Sequence, residues 1–146
     1  MANTATSIYL DGSADDYIET GISFASYNGP FTFEGWFYPT DADRREGLFG
    51  SGTNDDIDIE FQADNDLHVF ARQSDGTTYA VNIVIDDADW GPKTVWQHIA
   101  VCRIGISAAI FRDGVLKYFG HNGSGFNGHP SDIANIRLGI YATMPF

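Results

Sequence analysis

Ile57-Asp58-Ile59-Glu60-Phe61-Gln62 and Leu67-His68-Val69-Phe70-Ala71-Arg72, with Asp64-Asn65-Asp66 between them, decide the fold class. The first run alternates apolar and polar residues, the period of a half-buried strand. The Asp-Asn-Asp punctuation between two such runs predicts a hairpin. The same rhythm extends both ways from this pair. Upstream, Phe31 to Tyr38 is rich in aromatic residues and stops at Pro39. Downstream, Thr77 to Ile85 is β-branched-rich, and Trp96 to Ile104, Ala108 to Arg112 and Val115 to Phe119 form a meander. Asp113-Gly114 stands between the last two, a strong tight-turn signal. Ile133 to Tyr141 reads as a late strand. No window carries an apolar stripe of helical period over three turns. About ten short strands with regular turn signals predict an all-β antiparallel sandwich or barrel.

The chain has 146 residues with no linker-like stretch or composition shift, so one domain over 1–146 is expected. Hydrophobic residues make up 43% and aromatics 14%, enough for a packed core. Eight Lys and Arg stand against 20 Asp and Glu, a net charge of −12. Such a field repels phosphate backbones and anionic lipid surfaces, so nucleic acid and membrane are excluded as partners. It suits cations and neutral polymers such as glycans. The single cysteine, Cys102, excludes an internal disulfide and cysteine-rich zinc sites, and its apolar surroundings predict a buried, inert thiol. Residues 1–7 have neither the basic nor the apolar region of a secretory signal. Synthesis in the cytoplasm is expected, with any display on a particle surface reached by another route.

Four motifs in order carry a resemblance. Tyr9-Leu10-Asp11-Gly12-Ser13-Ala14-Asp15-Asp16-Tyr17-Ile18-Glu19 opens it, followed by Phe31-Thr32-Phe33-Glu34-Gly35-Trp36-Phe37-Tyr38-Pro39. Trp96-Gln97-His98-Ile99-Ala100-Val101 with Ile110-Phe111-Arg112-Asp113-Gly114-Val115-Leu116 comes next, then Ile136-Arg137-Leu138-Gly139. Together they resemble the laminin-G-like jelly roll of the concanavalin A-like lectin/glucanase superfamily over residues 7–141. The resemblance implies a two-sheet jelly-roll sandwich. It also implies a closing strand after residue 141 that the sequence lacks. Either the sequence is shortened at that end or a neighbouring chain covers the exposed edge, and the second option implies a homo-oligomer or particle assembly.

Within the superfamily, Asp55-Asp56-Ile57-Asp58-Ile59-Glu60-Phe61 resembles the catalytic strand of family 16 glycoside hydrolases. That likeness maps a nucleophile, a helper and an acid/base onto Asp56, Asp58 and Glu60. Alternation puts all three on one strand face. A retaining mechanism needs carboxyls about 5–5.5 Å apart, whereas positions i and i+4 on a flat strand lie about 13 Å apart. The other reading makes this a half-buried strand with Ile57, Ile59 and Phe61 inward and the acids in water. Laminin-G-like jelly rolls also suggest one Ca²⁺. Asp11, Asp15, Asp16, Asp55 and Asp56 are its candidate ligands, because hard cations take carboxylate oxygens.

The aromatic residues divide by position. Trp36 and Trp96 sit in strands and read as core. Trp90 sits among Asp86-Asp87-Ala88-Asp89 and Gly91-Pro92, where a ring either plugs the sandwich end or stacks on a sugar. Tyr27 with Asn28, and Asn122 and Phe126 in the Gly-rich 120–128 stretch, offer similar sugar-binding chemistry. That stretch lacks the Lys-Ser/Thr of a phosphate loop. The sequence therefore predicts a non-catalytic recognition or assembly module that engages a glycan or a protein surface. A phage virion component (tail fibre, adhesin or capsid decoration) fits that description. The alternative is a β-glucan hydrolase.

Overall fold

β-Branched and aromatic residues at alternate positions lay the described residues into ten strands and one short helix in a computed structural model. It describes residues 8–10, 17–22, 29–40, 44–51, 57–73, 75, 77–126 and 136–139. The strands are β1 (Ile18–Glu19), β2 (Thr32–Phe37), β3 (Glu46–Ser51), β4 (Ile57–Phe61), β5 (Leu67–Arg72) and β6 (Tyr79–Ile85). Helix α1 (Asp87–Trp90) follows, then β7 (Gln97–Ile104), β8 (Ser107–Arg112), β9 (Val115–Gly120) and β10 (Ile136–Leu138). A six-stranded sheet runs β1-β10-β3-β4-β5-β6 and a four-stranded sheet β2-β7-β8-β9. Every pairing is antiparallel. This is the expected all-β sandwich.

The core lies between the sheets. Ile57, Ile59 and Phe61 of β4, Leu67 and Val69 of β5, and Val81, Ile83 and Ile85 of β6 meet Ile99 and Val101 of β7 and Ile110 of β8. Each such buried side chain contributes about 1.5–3 kcal/mol of transfer free energy. Gly35 has a local role: a Cβ there would stand 3.0 Å from the Phe37 ring, so the missing side chain lets Phe37 fold back toward Phe49. The turn between β8 and β9 is the expected Asp113-Gly114, with φ of 50° and 79°.

Three placements differ from the sequence reading. Trp90 is fully buried, at 0% exposure, at the end of α1 rather than in a solvent loop. Its indole Nε1–H donates to Gln97 Oε1 at 2.8 Å, and Gln97 Nε2 donates to the Lys93 carbonyl at 2.8 Å. The Arg112 guanidinium donates to the carbonyls of Trp90 and Pro92 and lies over the Trp90 ring. A large ring belongs in the core when its one polar atom finds a partner there. Cys102 is only half-buried, with the Thr32 hydroxyl donating to its sulfur. Strand β3, split by Gly47 and Gly50, is an element that periodicity did not signal. The expectation of a missing closing strand falls outside the described residues.

The Trp90 environment predicts its mutational cost. Trp90→Ala should lose about 3–5 kcal/mol in urea unfolding. Trp90→Phe should lose less but still be destabilised, because Gln97 Oε1 loses its donor. A Trp90→Ala loss below about 1 kcal/mol would contradict the burial.

Candidate functional site

Two outward sheet faces hold the polar and aromatic residues of interest. On the six-stranded sheet, β4 turns Asp58 and Glu60 away from the core, in line with His68 and Phe70 of β5 and Asn82 of β6. The expectation that these acids face water is corrected here, since both are at 0% exposure. A buried carboxylate is costly unless paired. Glu60 Oε1 accepts from the Arg45 guanidinium at 2.7 Å and lies 3.2 Å from His68 Nδ1. His68 Nε2 lies 2.9 Å from Asn82 Oδ1. Nδ1 thus has the Glu60 carboxylate at 3.2 Å and the Gln62 amide nitrogen at 3.0 Å, and Nε2 has the Asn82 carbonyl oxygen.

An acid/base must reach the glycosidic oxygen, but Glu60 is held by Arg45 and His68 with no surface to offer. Asp56, the remaining member of the expected catalytic trio, lies outside the described residues. So do Asp11, Asp15, Asp16 and Asp55, the other calcium candidates. Among the described residues no group of three or more His, Cys, Asp or Glu side chains stands together to hold a metal ion.

The second face is aromatic. Phe33 and Phe37 of β2 turn toward the core, so alternation turns Trp36 outward. Gln97 of β7 turns inward to Trp90, so Trp96 and His98 turn outward. The register sets Trp36 opposite His98 and Phe37 opposite Gln97. Tyr38 and Trp96, which flank that pair, then stand opposite each other in the next outward row. The Trp36 and His98 ring centroids are 5.4 Å apart and those of Tyr38 and Trp96 5.7 Å. Trp36 is 65% exposed, Trp96 55% and Tyr38 47%. The reading of Trp36 and Trp96 as core is therefore corrected as well. Trp36 of β2 and Trp96 just before β7 are outside, and Trp90 of α1 is inside.

Polar groups frame the rings. Glu34 stands one outward row beyond Trp36, with Oε2 4.0 Å from His98 Nε2. Asp113 locks the other side of His98. The His98 N–H donates to Asp113 Oδ1 and the Asp113 N–H to the His98 carbonyl, both at 2.8 Å. Trp36 and His98 thus ride on paired backbone.

The remaining expected sugar residues are not gathered with these. Phe126 is buried, with Phe31 at 5.9 Å and the Arg103 guanidinium over its ring, so it fills core space instead of meeting a ligand. Asn122 is exposed in the left-handed region at φ 44°, and its amide donates to the Asn82 carbonyl. It helps pin the 121–125 segment along the edge of β6, where the Asn82, Ser124 and Gly125 N–H groups bond across. Tyr27 and Asn28 lie outside the described residues.

The His68 cluster predicts a pH dependence. Burial pulls the imidazole down, but hydrogen bonds to Glu60 and Asn82 and the Glu60 charge outweigh it, raising His68 above its ordinary 6.5. A raised folded-state value stabilises fully below 6.5, and that stability is lost as pH rises through the folded-state value. The stability advantage of the wild type over His68→Gln should therefore be largest in mild acid and shrink toward alkaline pH in urea unfolding. A pH-independent difference would contradict the charged cluster.

The comparisons with known proteins agree with this architecture. The laminin-G-like family described as the concanavalin A-like lectin/glucanases superfamily matches residues 11–137. No curated protein sequence matches the chain. Among solved structures, the botulinum neurotoxin serotype D ligand binding domain in complex with N-acetylneuraminic acid superposes with a TM-score of 0.64 at 13% identity. That match covers 91% of this chain and 34% of the toxin chain. The serotype G binding domain gives 0.61 at 14% identity, covering 92% and 35%. The Caenorhabditis elegans galectin LEC-6 gives 0.53 at 14% identity, covering 89% and 86%. The chain thus spans about a third of the toxin chains it matches, and at such identities these likenesses speak to the fold. The chain belongs to the laminin-G-like branch of the concanavalin A-like lectin/glucanases superfamily.

Proposed function

We propose that the protein is a non-catalytic glycan-recognition module whose binding surface is the Trp36, Tyr38, Trp96 and His98 platform. The observation that carries this reading is the exposure of three large rings, with Trp36 in register opposite His98 on paired strands and Tyr38 against Trp96 just beyond the last pair. Exposed rings forgo the burial that would otherwise stabilise the fold. The apolar C–H face of a sugar restores that burial on binding, and adjacent carboxylates accept hydrogen bonds from its hydroxyls. The superfamily supports the reading, as do neighbours that include a galectin and a toxin domain solved with N-acetylneuraminic acid. The burial of Asp58 and Glu60 weighs against the hydrolase alternative.

A second reading, assembly with further copies of this chain or onto a particle such as a phage virion, has one observation in its favour. Val115, Leu116 and Phe119 of β9, an edge strand of the four-stranded sheet, are exposed. An apolar edge strand invites pairing.

The test is isothermal titration of glycans found positive on an array. Trp36→Ala and Trp96→Ala should each weaken binding about tenfold, roughly 1.4 kcal/mol. As surface substitutions they should change stability by no more than about 0.5 kcal/mol. Unchanged sugar affinity in both variants would overturn the proposal. Neither variant touches β9, so retained assembly alongside lost sugar binding separates the two readings.

A further inference from the structure

We infer that the platform accepts an extended, uncharged oligosaccharide segment of at least two sugar units and disfavours sialylated or sulfated glycans. The inference rests on the reading that this platform binds sugar.

The length requirement comes from the strand spacing. Successive outward positions on a strand are two residues apart, about 6.8 Å. The Trp36/His98 row and the Tyr38/Trp96 row are therefore two separate stacking positions, each made of two rings 5.4 or 5.7 Å apart. A single pyranose covers one row. A linear chain lying along the strands covers both, and the second contact comes without a second loss of translational freedom.

The charge selectivity comes from the frame around the rings. Glu34 and Asp113 flank the Trp36/His98 row, and their side chains are 63% and 48% exposed. Recognition of a sugar carboxylate or sulfate calls for a charge-assisted donor such as Arg. Of the eight Lys and Arg, all but Arg44 are held on partners elsewhere. Arg112 has its Nε 3.6 Å from Asp113 Oδ2, but its two terminal nitrogens are spent on the Trp90 and Pro92 carbonyls and its side chain is largely buried, which leaves Glu34 as the more exposed carboxylate beside the rings. The net charge of −12 adds long-range repulsion to an approaching anion. The fold is shared with a sialic-acid-bound toxin domain, but this face presents carboxylates to its ligand.

The experiment titrates the intact chain with β-linked glucose, galactose and mannose oligosaccharides of increasing length, and with sialylated and sulfated forms of the galactose series. Affinity should rise about tenfold or more from one unit to three and then level off. The acidic forms should bind at least about tenfold more weakly than their neutral parents, and Glu34→Lys should narrow that gap. Single sugars binding as tightly as trimers would overturn the length requirement, and sialylated forms binding as well as neutral ones would overturn the charge selectivity. Either result leaves the platform as a sugar site. Failure of the wild type to bind any sugar overturns the platform reading itself, and this inference with it.

Discussion

The hydrogen bond from the Trp90 indole to Gln97 Oε1, 2.8 Å long and buried, sets the arrangement on which the exposed aromatic platform depends. It draws Gln97 into the interior, and a strand that turns residue 97 inward has to turn 96 and 98 outward. Because β2 pairs with β7 in a fixed register, Trp36 and Tyr38 fall on the same outward face. One interior contact therefore decides which aromatic residues are structural and which meet solvent. The Lys93 carbonyl reinforces it by accepting from Gln97 Nε2, and Arg112 by holding the Trp90 and Pro92 carbonyls. A one-residue slip would exchange the two faces.

The two outward faces treat their polar residues in opposite ways. On the six-stranded sheet the carboxylate of Glu60 is withdrawn from water and neutralised by Arg45 and His68, which makes it a structural ion cluster. Its contribution depends on both partners, because a buried charge left alone is strongly destabilising. On the four-stranded sheet the rings are exposed and the carboxylates of Glu34 and Asp113 stay half in water. The motif that looks most like catalytic machinery is thus the least accessible, and residues that read as core fill are the most accessible.

The strand content was legible because it is a local signal. Alternation at Ile57–Phe61, the hairpin to Leu67–Arg72, and Asp113-Gly114 between β8 and β9 all follow from side-chain period and turn chemistry. The short β3 was not, because Gly47 and Gly50 interrupt its apolar rhythm. The tryptophans are hard to place for a different reason. A strand has two faces, so a position in or beside one does not make a side chain part of the core. The parity signal was present: Phe33 and Phe37 share a face that Trp36 cannot share. By contrast, nothing local signals that Asp58 and Glu60 are covered, or that Trp90 finds a buried acceptor, because both depend on partners distant in sequence or on the packed layers around them.

The most direct test follows the three indole N–H signals by nuclear magnetic resonance while a neutral trisaccharide is added. The account predicts that the Trp36 and Trp96 signals exchange with water and move on titration, while the Trp90 signal is protected and stays in place. A Trp90 signal that shifts while those of Trp36 and Trp96 remain still would contradict it.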